Sequence, residues 1–105
     1  MNQRILQINF HYNAPTEKVV GNSPRLVDEV LQAQGLIWKI WIYNDDQQIT
    51  GGIYLFESEQ TARDYLDNSP VMQEVRNNPR FTDFSAIIFK PMPAPSRATR
   101  APLGE

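Results

Sequence analysis

The chain has 105 residues, 41% of them hydrophobic, and its ten basic and twelve acidic side chains leave a formal net charge of −2. That length sets a single domain with a small core. It carries no basic excess to neutralise phosphates or an anionic lipid surface, so no nucleic-acid partner and no membrane partner is expected. The absence of cysteine removes disulfides, thiolate nucleophiles and cysteine-held metals together. No apolar run approaches the ~20 residues of a spanning helix, and "MNQRILQINF" lacks the long apolar core of a secretory signal. We therefore expect a cytoplasmic protein.

In "RILQINFHY" (4–12), Leu6, Ile8, Phe10 and Tyr12 alternate with Gln7, Asn9 and His11, which predicts a strand. A turn at 13–15 leads into helix over 16–34. Its clearest part is "SPRLVDEVLQAQG", with Ser23 as cap, Pro24 in the first turn and Leu26, Val27, Val30 and Leu31 on one face. Pro24 can kink an earlier helical turn at 16–22. Gly35 stands where a left-handed C-cap falls. Two apolar runs follow, "GLIWKIWIY" and "GGIYLF", predicting strands at 36–43 and 49–57 joined by the polar hairpin loop "NDDQQ". Ser58 caps a second helix, with Ala62, Tyr65, Leu66, Val71, Met72 and Val75 as its apolar stripe. Asn68-Ser69-Pro70 breaks and restarts this helix, and Asn77-Asn78-Pro79 ends it. "FTDFSAIIFK" (81–90) is a fourth strand.

The order is βαββαβ. Right-handed crossovers put both helices on one face of a four-stranded antiparallel sheet, which is the ferredoxin-like α+β fold. Residues 1–91 form this domain. The tail at 92–105, with three of the eight prolines and Pro91 just before it, is expected to hold no regular element.

The second and third strands are apolar on both faces. Lysine is disfavoured under helices. Trp38, Ile40, Ile42, Ile53 and Leu55 are therefore expected beneath the helices with Leu6, Ile8 and Phe10. That leaves Ile37, Trp41, Tyr43, Tyr54 and Phe56 opposite, beside Gln7, Asn9, His11 and Lys39. So many rings exceed what a soluble monomer leaves bare, so we expect a homodimer, sheet face against sheet face.

"GLIWKIWIYNDDQQITGGIYLFESEQTARDYL" resembles the YdhR-like monooxygenase family, with G-x-x-W-K-x-W and GGIYLF carrying most of the likeness and "LQINFHYNAP" adding to it. The resemblance covers about residues 5–67. It implies a dimeric α+β barrel and a monooxygenase that uses no cofactor and acts on a small electron-rich aromatic substrate. Antibiotic-type monooxygenases of the wider superfamily often carry a Trp and a His at places that here hold Phe56 and Leu66. Their catalytic residues therefore do not transfer.

Such chemistry needs an apolar pocket, a base and donors to an oxyanion. His11 is the one histidine, hence the candidate base. Asn9 could orient a substrate, Trp38 and Trp41 could flank one, and Tyr54 and Tyr65 could donate to an oxyanion. Lys39 is either an anion site or one half of an ion pair across the dimer. Each residue also has a plain packing or interface role. One histidine and no cysteine predict no metal site of the usual zinc kind. Gly51-Gly52 fits neither a P-loop nor a dinucleotide turn and reads as relief of crowding or a bulge. Of the rivals, an RNA-recognition domain is disfavoured because "TGGIYLF" lacks the basic and aromatic residues of that domain's third-strand motif. A non-catalytic dimer that binds a small aromatic ligand or a protein partner would use the same pocket.

Overall fold

The structure is a computed structural model in which residues 2–19 and 23–103 are described. Its elements are β1 (Arg4–Tyr12), α1 (Thr16–Val19), α2 (Pro24–Leu31), β2 (Leu36–Asn44), β3 (Ile49–Phe56), α3 (Glu59–Asn68), α4 (Pro70–Asn77), β4 (Phe81–Phe89) and α5 (Pro93–Ala98). The strands form one antiparallel sheet in the order β2-β3-β1-β4, the ferredoxin-like arrangement.

Local chemistry sets the helix ends. The Ser23 and Ser58 hydroxyls accept from the backbone N–H groups of Leu26 and Thr61, satisfying donors that a first helical turn leaves free. Ser69 ends α3 in an extended conformation and, through its hydroxyl, caps α4. Helix α2 ends before the expected residue 34, with Gln32 as its C-cap, so Gly35 is left-handed at φ +81° in the turn into β2 rather than as the cap, and a Cβ there would strike the Thr61 side chain. The predicted helical turn before Pro24 is present as α1, and the rest of that segment, 20–22, lies outside the described residues.

The core joins Leu6 and Ile8 of β1 and Tyr54 and Phe56 of β3 to Val30, Ala62, Tyr65, Leu66, Val71 and Met72 of the helices. This corrects the expected facing of β2 and β3. Cross-strand partners share a face, and the register pairs Leu6 with Tyr54 and Tyr54 with Lys39. Lys39, Trp41, Tyr43, Tyr54 and Phe56 therefore lie on the helix side. Trp38, Ile40, Ile42, Ile53 and Leu55 lie on the other, with Asn9 and His11. Lysine misled the expectation because the helices leave the β2 side of their face open. Helices α3 and α4 pack chiefly toward β1, β3 and β4. A one-residue change of parity then flips a whole strand.

The tail is also corrected, since α5 is a helix. Pro93 and Pro95 both fall in its first turn, where no intrahelical N–H bond is lost. The Thr99 hydroxyl donates to the Pro95 and Ser96 carbonyls at its end. Beyond it, the Trp38 indole N–H donates to the Pro102 carbonyl at 2.8 Å, tying the tail to the sheet's free face.

Candidate active site

A cavity of about 400 Å³ lies between the helix side of the sheet and helices α2 and α4. Phe10, Lys39, Trp41 and Tyr54 form its sheet wall, and Leu26, Val27, Met72 and Val75 form its helix wall. It opens at the β2 edge, where Trp41 is 48% and Tyr43 58% exposed. An ion pair ties the two roofing helices together. Arg25 of α2 reaches Glu74 of α4 at 3.1 Å while also holding Glu29 at 3.0 Å. A volume of this size suits a small organic molecule, and a mainly apolar wall with a few polar groups suits a ligand of the same character.

Lys39 is the one cation on the cavity wall among the described residues. Its Nζ lies 3.3 Å from the centroid of the Trp41 ring and 4.6 Å from that of Tyr54. Burial lowers the amine from its usual 10.5 to about 7, because the ammonium loses water that the cavity walls do not replace. The ring faces act in the opposite direction, each attracting the charged form by about 1–2 kcal/mol at a desolvated site. Near neutral pH both the amine and the ammonium are accessible.

Gly52 makes this placement possible. It pairs with Trp41 on β2, and a Cβ there would strike the Lys39 Cε and crowd the Tyr54 ring. The lysine stem lies across the gap that glycine leaves. Gly52 thus has a steric task that the sequence reading only named in general terms.

Of the residues singled out in sequence, Lys39, Trp41 and Tyr54 line this cavity. Tyr65 stands behind Tyr54, their rings 5.1 Å apart and their hydroxyls 3.2 Å apart. Burial pushes both hydroxyls above the ordinary tyrosine range, so both stay neutral and partner each other. His11, Asn9 and Trp38 are on the opposite face. His11 pairs with Ile49 and Thr82, Asn9 with Gly51 and Ser85, and Trp38 holds the tail. Sequence reasoning named Lys39 as an anion site but placed it on the face away from the helices. Its signal was a lysine between two tryptophans, one step along the hairpin from Gly52, over which its stem reaches. Among the described residues, no group of three or more His, Cys, Asp and Glu is placed to hold a metal ion.

Fold and cavity together define a ferredoxin-like α+β protein with an aromatic-walled chamber under its helices. The chain belongs to the family described as putative mono-oxygenase ydhR, whose match spans residues 5–102. Two solved structures share the fold. SnoaB, a cofactor-independent oxygenase from Streptomyces nogalater, matches with TM-score 0.66 and 11% identity over 88% of this chain and 95% of its own. A monooxygenase from the gene ActVA-Orf6 of Streptomyces coelicolor, in complex with nanaomycin D, matches with TM-score 0.62 and 16% identity over 89% of this chain and 90% of its own. No curated protein matches the chain in sequence. Among the described residues, no helix is long and apolar enough to cross a membrane.

Proposed function

We propose that the protein is a homodimeric, cofactor-independent monooxygenase that oxidises a small electron-rich aromatic compound in the cavity beneath its helices. The observation that carries this reading is the chamber itself, walled by Trp41 and Tyr54 around one amine, in a chain of this family. Trp41 and Tyr54 bound the substrate, and Tyr65 braces Tyr54 from behind. The reaction class needs no redox group from the protein. An anthrone-type methylene loses two hydrogens and gains one oxygen atom of O2 to become a carbonyl, and the second oxygen atom leaves as water. All the electrons come from the substrate. The protein contributes binding, exclusion of water and proton transfer.

The second copy belongs on the free face of the sheet. Ile40, Ile87 and Phe89 there are 50%, 52% and 44% exposed, an apolar surface of the kind that interfaces bury. Asn9, His11 and Trp38 then lie at or beside that interface rather than in the chamber. The absence of cysteine fits a reducing cytoplasm.

The test is oxygen uptake by purified protein with a panel of anthrones and hydroquinones. Uptake above the uncatalysed rate, with one O2 consumed per substrate and no peroxide released, is the expected result. A compound that binds and raises the melting temperature with no uptake in any member of the panel overturns the enzyme and leaves a ligand-binding module. Failure of every compound to bind overturns both.

A further inference from the structure

We propose that Lys39 is the proton acceptor of the chamber, and that the substrate it selects carries an acidic hydroxyl, a phenol or enol, whose anion the lysine then holds against Trp41 and Tyr54. This rests on the reading that the chamber is the substrate site, and goes beyond it by naming the base and the chemical class.

Three features of the geometry converge on Lys39. Its Nζ is inside the chamber, over the Trp41 ring and beside that of Tyr54. Gly52 leaves the space through which it lies, as the collision of a Cβ with the lysine stem makes plain. Among the described residues, no carboxylate is hydrogen-bonded or ion-paired to it. The other ionisable groups on the wall are Tyr43 of β2, Tyr54 of β3 and Glu74 of α4. Glu74 is engaged by Arg25 from α2, and the Tyr54 hydroxyl by Tyr65 from α3. An amine free of any carboxylate partner, in a chamber with aromatic walls, favours a ligand that brings its own negative charge.

The step is a proton transfer. The neutral Lys39 amine takes the proton of the substrate hydroxyl, the O–H bond breaks, and its electron pair stays on oxygen. The new ammonium faces the new phenolate or enolate, which is a far better electron donor to O2 than its conjugate acid. Burial favours the amine before the transfer, and the opposite charge of the product favours the ammonium after it. His11, on the far side of the sheet, takes no part in this step.

4-Nitrophenol tests this without turnover, because its phenolate absorbs in the visible and the phenol does not. Bound to the wild-type protein, it should titrate at least one pH unit below the free compound, a tenfold preference for the phenolate. In Lys39→Met that shift should vanish. In Gly52→Ala, where the lysine is displaced, it should shrink, and Lys39→Arg should keep a phenolate preference. A wild-type complex that titrates like free nitrophenol overturns the proposal, whatever the variants do. A Lys39→Met complex that titrates like the wild type also overturns it. Both results leave the chamber standing as the binding site. Failure of nitrophenol to bind the wild-type protein overturns the role of Lys39 and removes the support for the chamber as an aromatic site.

Discussion

Both faces of this sheet carry large apolar side chains and put them to different use. On the helix side, Leu6, Ile8, Tyr54 and Phe56 are sealed by α2, α3 and α4, yet the seal stops short of β2. There the wall turns aromatic, takes in an amine and encloses a chamber. On the free side, Ile40, Ile87 and Phe89 stand half-exposed, and the tail is hydrogen-bonded at Trp38. An open, half-exposed apolar face suits a flat partner. A face that is incompletely roofed can bind something small. The difference comes from how far α2 and α4 reach across the sheet and from Lys39, which Gly52 gives room to lie over the cavity wall.

The largest effect that sharpens this contrast is on turnover. Lys39→Met should lower oxygen uptake by about a thousandfold, the range for loss of a general base. An equal loss in His11→Ala would break the comparison by moving the chemistry to the free face.

The next effect is on stability. The Lys39 pKa falls from 10.5 unfolded to about 7 folded, so between these values the unfolded chain binds more protons and stability rises with pH. Below about pH 7 the folded protein bears the full penalty of a buried ammonium, of order 3 kcal/mol once attraction to the rings is allowed for. Lys39→Met should therefore be more stable than the wild type at pH 6, with the gap closing toward pH 10. Urea unfolding at several pH values reads this directly. A gap that does not change with pH contradicts it.

On the other face, Ile87→Glu puts an unpaired charge into the proposed interface twice, once from each copy. It should weaken the dimer at least a hundredfold in sedimentation, about 2.7 kcal/mol, with 4-nitrophenol binding unchanged. Loss of ligand binding on dissociation would mean that the two faces act together. The smallest effect is that of Tyr65→Phe. It leaves the buried Tyr54 hydroxyl without a partner, at about 1–2 kcal/mol of stability, and should alter ligand affinity only a few-fold.

The strands, the caps at Ser23 and Ser58, the Ser69-Pro70 restart and the left-handed Gly35 were legible because each is a local choice, written in periodicity or in one residue's backbone preference. The facing of β2 and β3 was not. Both strands are apolar on both sides, so alternation carries no sign, and the one charged residue pointed the wrong way. Lys39 belongs under the helices because a cavity is there, and a cavity is a property of how far α2 and α4 reach across the sheet. For the same reason His11 looked like the base while it was judged by titration range alone. Its parity on β1, read through the register with Tyr54 on β3, puts it on the far face from the chamber. The tail helix was missed because prolines were counted rather than placed.

The two tryptophans offer the most direct measurement, since Trp41 lines the chamber and Trp38 lies on the opposite face. Protein labelled with fluorotryptophan gives one fluorine resonance for each, assigned by Trp38→Phe and Trp41→Phe. On titration with 4-nitrophenol, the Trp41 resonance should move to saturation while that of Trp38 stays in place. Movement of the Trp38 resonance alone would contradict the assignment of the binding site to the chamber beneath the helices.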